Sequence, residues 1–162
     1  MQLFVIRHAI AEDRRPDQDD ATRELTEEGV AKMKQVVRGL RELDVELARV
    51  LTSPWARALH TAKLLAPVSD APPIATELLC QSPRAELLAM IAERNEITAV
   101  VGHEPWLGEL VAWLAFGDAR RGDALELKKG SVVELEGSVV PGGMTLHAIL
   151  QPRVLRRLAK RR

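Results

Sequence analysis

The sequence predicts an α/β fold built on a mostly parallel sheet. Two observations carry that expectation. Apolar runs of strand length alternate with segments of helical period. The two strongest runs, Leu3-Phe4-Val5-Ile6 and Ile97-Thr98-Ala99-Val100-Val101-Gly102, are continuous rather than alternating, as central strands covered on both faces must be. With 162 residues, 46% of them hydrophobic, the chain is sized for one domain with a substantial core. A single domain over residues 1–162 is therefore expected.

Each element follows from local chemistry. After the first strand, residues 12–28 hold eight acidic and three basic side chains around Pro16, which reads as a solvated loop. Thr26 then caps a helix, with Glu27 and Glu28 favoured in its first turn by the helix dipole. Leu25 and Val30 are spaced for a hydrophobic staple, and Val30, Met33, Val37 and Leu40 give one apolar face. Val50-Leu51-Thr52 is a short strand. Ser53 and Pro54 read as the cap and first residue of the next helix, which fades near Ala66-Pro67. An edge-like strand is expected at 74–76 and a helix over 83–94, with Leu87, Leu88 and Ile91 inward. After the second central strand, a helix runs from about Trp106 to Ala115, with Trp113 in the core. Residues 131–135 and 144–150 form a hairpin around Pro141-Gly142-Gly143. From Pro152 a terminal helix docks through Val154, Leu155 and Leu158, leaving six basic residues of the tail, Arg161 and Arg162 among them, on its solvated side.

Composition removes several classes of function. Charged residues make up 28%, with 23 basic against 23 acidic, which excludes a disordered chain and a surface built to hold nucleic acid. No apolar stretch is long enough to span a bilayer. Met1 to Ile6 leads into Arg7-His8 without the features of a secretory signal, so a cytoplasmic location is expected, with no membrane partner. The one cysteine, Cys80, excludes an internal disulfide framework and a cysteine-rich zinc site, and reads as a small apolar filler. Asp17, Asp19 and Asp20 follow Pro16 in a loop and do not read as a metal motif. His60 and His147 read as structural.

The chemistry gathers elsewhere. His8 follows the first central strand and His103 the second, and residues just past the carboxyl ends of strands share the ligand crevice of an open α/β sheet. Arg7 adjoins His8, and Arg57 lies in the first turn of the helix leaving the strand at 50–52. Two arginines and two histidines on one rim suit a dianion, because a guanidinium binds phosphate oxygens in pairs. A neutral imidazole is a competent nucleophile near pH 7. His8 would attack phosphorus in line while Arg7, Arg57 and His103 hold the equatorial oxygens, each such donor being worth roughly 3 to 4 kcal/mol. With that much positive charge supplied by side chains, no metal or other cofactor is expected. Trp55 and Trp106 flank these residues and are placed at the mouth.

Three segments, in order, match a known pattern. Val5-Ile6-Arg7-His8-Ala9 resembles the Arg-His-Gly signature of the histidine phosphatase (phosphoglycerate-mutase-like) superfamily. Ser53-Pro54-Trp55-Ala56-Arg57-Ala58-Leu59-His60-Thr61-Ala62 resembles its Ser-Pro-x-x-Arg-Ala-x-x-Thr-Ala helix start, and Val101-Gly102-His103-Glu104-Pro105 its second-histidine motif. The short chain, with Arg23-Glu24-Leu25-Thr26-Glu27-Glu28-Gly29 between, is most similar to the SixA-type phosphohistidine phosphatases. The resemblance implies a three-layer α/β/α sandwich, a cytoplasmic enzyme without cofactor, His8 as the phosphorylated nucleophile, and Arg7, Arg57 and His103 as the phosphate pocket. It also puts Arg23 near the pocket mouth.

Two departures from the family pattern bear on function. Ala9 stands where glycine is usual, and an ordinary φ is expected there. Larger members place a carboxylate near the third strand to protonate an alcohol leaving group, and Glu77 is the candidate acid. An imidazole leaving group, with a reference pKa of about 6.5, needs less help than an alkoxide. The expectation is therefore a phosphatase acting on phosphohistidine in a protein partner. The alternatives are a phosphatase for a small phosphoester or phosphoanhydride metabolite, and a phosphate-binding module without turnover.

Overall fold

The run that opens the chain becomes β1 (Gln2–Arg7) in the computed structural model, which describes residues 1–160. Leu3 and Val5 enter one apolar core and Phe4 and Ile6 the other, as the two-residue period of a strand requires. β2 (Arg49–Thr52) and β4 (Thr98–Gly102) follow the two other predicted inner runs. β1 pairs in parallel with β4, and β4 in parallel with β2. The edge strand β3 (Ile74–Ala75) continues the parallel set beside β2. Beyond β1, the hairpin of β5 (Val132–Gly137) and β6 (Met144–Leu150) closes the sheet with antiparallel pairing. The strand order is β3-β2-β4-β1-β5-β6.

Helices cover both faces. Met33, Val36, Val37 and Leu40 of α1 (Glu27–Arg41), Ala58 and Ala62 of α2 (Ala56–Lys63), and Leu155 of α5 (Pro152–Leu158) pack with Phe4, Ile6, Val50 and Val101. Leu87, Leu88 and Ile91 of α3 (Ala85–Ala92) and Leu107, Leu110, Val111 and Leu114 of α4 (Trp106–Phe116) pack with Leu3, Val5, Leu51 and Val100. The result is the expected three-layer α/β/α sandwich around a mostly parallel sheet. Among the described residues, no helix is long and apolar enough to cross a membrane.

The local signals mostly act as read. The Thr26 hydroxyl accepts from the Gly29 amide at 3.0 Å and caps α1, and Leu25 and Val30 join one apolar cluster. A Cβ on Gly39 would collide with the Leu155 carbonyl, so α5 docks closely on α1 because that position is glycine. Among the described residues, Asp44 is the one non-glycine with positive φ, and Ala9 is therefore unstrained. Three expectations change. α2 starts at Ala56, after a turn at Ser53-Pro54 in which the Ser53 hydroxyl accepts from the Trp55 amide at 3.1 Å. Val154 is exposed, and α5 docks through Leu155 and Leu158. Trp113 is partly buried against the core rather than fully inside it. Arg161 and Arg162 lie outside the described residues.

Candidate active site

The carboxyl ends of β1, β4 and β2 lie side by side. This adjacency brings Arg7-His8, His103 and Ser53 to one edge of the sheet. The turn is pinned by main-chain bonds: the His8 amide donates to the Gly102 carbonyl at 3.1 Å, and the Gly130 amide is shared between the Arg7 and His8 carbonyls at 3.1 Å each. A cleft of about 260 Å³ opens here, lined by Arg7, His8, Arg14, Asp20, Arg23, Trp55, Arg57, His103, Glu104, Trp106 and Lys129. Five cations face two carboxylates in that lining. A larger cleft of about 330 Å³, between Arg41 and Asp70, holds neither histidine nor paired arginines.

The geometry prepares His8 as a base or nucleophile. The ring is 4% exposed. Its Nδ1 lies 2.7 Å from the Ala9 carbonyl, which can only accept, so the ring proton sits on Nδ1 and the lone pair on Nε2. Arg57 Nε donates to that Nε2 at 3.2 Å. Burial pushes His8 down to about 3; the nearby charges of His103, Arg57 and Arg7 act the same way, against the Ala9 bond. The imidazole is therefore neutral near pH 7.

His103 sits opposite, its ring centroid 5.2 Å from that of His8. Burial and then the Arg57 charge push it down to about 3. Its Nε2 is 2.8 Å from Ser53 Oγ, and its buried Nδ1 has no partner among the described residues. Trp55 lies against the His103 ring at 4.5 Å and Trp106 at 6.1 Å. The Arg57 guanidinium stacks 4.8 Å from the Trp55 ring. Both tryptophans thus stand at the mouth, as expected, and they fix the second histidine and the guanidinium in place.

Arg57 is the second residue of α2 and is 3% exposed. Its Nη1 and Nη2 donate to the Asp20 carbonyl and carboxylate at 2.5 and 2.9 Å. The Asp20 carboxylate also takes Arg23 Nε at 2.8 Å, while Arg23 Nη1 holds the Glu12 carbonyl at 2.7 Å. Partial burial alone would raise the Asp20 carboxyl, and the Arg57 and Arg23 guanidiniums hold it below its ordinary value. An oxyanion entering the cleft thus meets Arg57 already paired with a carboxylate. Arg7 donates from Nη1 to the Leu127 carbonyl at 2.6 Å and keeps a buried Nε without a protein partner.

The structure brings Arg7, His8, Arg57, His103 and Arg23 together. It does not bring Glu77, which is exposed on a short 3-10 turn (Glu77–Leu79) outside the cleft lining. That turn follows the edge strand β3, and its carboxylate lies within hydrogen-bonding reach of the Cys80 thiol. Besides Asp20, the carboxyl in the lining is Glu104, raised by burial, with Oε1 accepting from the Gly108 amide at 2.9 Å. The sequence carried a signal for it, a carboxyl directly after the second strand-end histidine. Asp20 carried none, because its partner is 37 residues away. Cys80 is not a filler: its Sγ lies 3.1 Å from Ser53 Oγ. His60 and His147 lie outside the lining, and His147 pairs with Glu136 at 3.2 Å. Among the described residues, no cluster suits a metal ion.

Burying two neutral imidazoles makes stability depend on pH. Both histidines have folded values near 3 against 6.5 when free, so the unfolded chain binds more protons between those values and stability falls as pH drops through that window. The expected result is a Tm that declines from about pH 6.5 downward, with a shallower slope in a His8→Asn/His103→Asn variant. Equal slopes would show that these rings titrate freely in the folded state.

Comparison with known proteins agrees with this geometry. A family model described as the Histidine phosphatase superfamily (branch 1) matches residues 3–81, which include Arg7, His8, Asp20, Arg23 and Arg57. An uncharacterized protein of Picosynechococcus sp. (strain ATCC 27264 / PCC 7002 / PR-6) is 38% identical over 142 residues, 83% of this chain and 84% of its own. Phosphohistidine phosphatase SixA of Escherichia coli (strain K12) is 31% identical over 125 residues, 73% of this chain and 76% of its own. The solved structure of the protein histidine phosphatase SixA complexed with tungstate superimposes with a TM-score of 0.78 at 26% identity, covering 96% of this chain and 99% of that one. The paired strand-end histidines, the guanidinium that reaches the first of them and these likenesses agree: the chain belongs to the histidine phosphatase superfamily.

Proposed function

We propose that the protein hydrolyses a phosphoryl group through a covalent intermediate on His8, with phosphohistidine in a partner protein as its substrate. One observation carries this reading. His8 is neutral, its Nδ1 proton is held by the Ala9 carbonyl, and its Nε2 lone pair faces the Arg57 and His103 cluster. In the first step Nε2 forms a bond to phosphorus as the substrate P–N bond breaks, and the electron pair leaves with the substrate imidazole, which takes a proton. In the second, water attacks phosphorus, the P–Nε2 bond breaks, and inorganic phosphate and a proton are released. Arg7 and Arg57 neutralise the charge on the equatorial oxygens, which is most of what phosphoryl transfer asks of a protein.

Substrate class follows from the leaving group. A protonated imidazole leaves more readily than an alkoxide, and the similarity to the Phosphohistidine phosphatase SixA and to the solved protein histidine phosphatase SixA supports this reading. The second reading, a small phosphoester as substrate, is favoured by Glu104. A half-buried carboxyl whose burial raises it is suited to donate a proton to an alkoxide.

The two readings separate in one assay. A phosphohistidine protein and a panel of alkyl phosphates and nucleotides are compared on the wild type and on Glu104→Gln. The proposal expects phosphohistidine to be preferred and Glu104→Gln to change its kcat less than about tenfold. A preferred alkyl phosphate whose kcat falls about 10²- to 10⁴-fold in Glu104→Gln would establish the ester reading instead.

A further inference from the structure

Behind the cleft lies a small polar cluster that the mechanism above does not use. Ser53 directly follows β2 and is fully buried. Its hydroxyl meets three partners: the Trp55 amide at 3.1 Å, His103 Nε2 at 2.8 Å and Cys80 Sγ at 3.1 Å. A hydroxyl offers one proton and two lone pairs. The Trp55 N–H takes one lone pair, because an amide nitrogen can only donate. One proton and one lone pair remain for an imidazole nitrogen and a sulfur.

We propose that Ser53 is a positioning residue, donating its proton to His103 Nε2 and so fixing His103 in the tautomer that carries its proton on Nδ1, with the Cys80 thiol filling the last lone pair of the serine oxygen. Two arguments select this arrangement. Imidazole nitrogen is a far better acceptor than a thiol sulfur, so the hydroxyl proton goes to the ring. The reverse arrangement would also leave Nδ1, buried and without a protein partner, as a bare lone pair on a ring that lines the cleft, where it would repel a phosphoryl oxygen. With Nδ1 protonated, a neutral His103 donates to that oxygen. Burial and a hydrogen bond to the Glu77 carboxylate raise the Cys80 thiol, so it keeps its proton, which that carboxylate and the Ser53 oxygen share. The two histidines then share a tautomer for opposite ends: His8 hides its Nδ1 proton on the Ala9 carbonyl and shows a lone pair, and His103 covers its Nε2 with Ser53 and shows a proton.

The role of His103 toward phosphate rests on the phosphatase reading; its tautomer does not. The test is ¹⁵N NMR of the imidazole groups of the whole protein at pH 7, together with the affinity for vanadate. The expected spectrum assigns a protonated Nδ1 and a bare Nε2 to His103. Ser53→Ala should mix the tautomers and weaken vanadate binding about 10- to 100-fold. Cys80→Ala should mix them partly, and Cys80→Ser, which restores a donor, should recover the Nδ1–H signature. A wild-type spectrum with the proton on Nε2 overturns the proposal, and so does a folded Ser53→Ala with wild-type vanadate affinity. A protein with the expected tautomer and vanadate affinity that leaves phosphohistidine intact would sink the substrate reading alone.

Discussion

Replacing His8 with alanine will lower phosphatase turnover by about 10⁴- to 10⁶-fold, the scale seen when the nucleophile of a covalent mechanism is removed. The size follows from the position of the ring. Its Nε2 is the one lone pair at the centre of the cleft that is held between a guanidinium and a second imidazole, and a side chain without a nitrogen leaves no acceptor for phosphorus. The fold should persist. The main-chain bonds of the turn, from the His8 amide to Gly102 and from the Gly130 amide to residues 7 and 8, do not involve the ring. Steady-state and single-turnover kinetics, with circular dichroism as the check on folding, measure this. Turnover within tenfold of wild type would remove His8 from the chemistry.

Arg57→Ala ranks second. The guanidinium is buried, stacks on Trp55, touches His8 Nε2 and carries the carboxylate of Asp20, so under the proposed function it both donates to phosphate oxygens and organises its neighbours. Losing it should cost about 10²- to 10³-fold in kcat/KM and a comparable share of vanadate affinity. Arg57→Lys should recover little of this, because an ammonium cannot address His8 and two oxygens at once. Asp20 retains Arg23 as a partner at 2.8 Å, which keeps the loop at 19–23 in place. Vanadate affinity equal to wild type in a folded Arg57→Ala would show that the anion is held elsewhere.

The framework was legible because it rests on local patterns. Continuous apolar runs identified β1 and β4, threonine before two glutamates located α1, and the Pro-Gly-Gly turn placed the hairpin. Strand-end position alone was enough to put His8 and His103 on one edge. The misreadings have a common cause, which is that a side chain's partner across the fold leaves no local trace. Ser53 before Pro54 has the form of a helix cap, and its hydroxyl does accept from the Trp55 amide, but nothing local shows that it also meets His103 and Cys80 or that the helix begins at Ala56. Asp20 is one acid among many in a polar loop until the fold sets Arg57 and Arg23 beside it. Glu77 follows the edge strand and stays outside the cleft lining, while Glu104, next to a histidine already singled out, is part of it. Val154 fits the helical stripe of α5, but it is exposed, and the short helix packs on the core through Leu155, over Gly39, and Leu158.

The proposed reaction turns on a bond between phosphorus and one ring nitrogen, Nε2 of His8. Brief exposure of the whole protein to a radiolabelled phosphodonor, followed by alkaline quenching and peptide mapping by mass spectrometry, tests it most directly. The account predicts an acid-labile, alkali-stable phosphoryl group on His8 in the wild type and none in His8→Ala. Label on another residue, or undiminished turnover with no label trapped on His8, would contradict it.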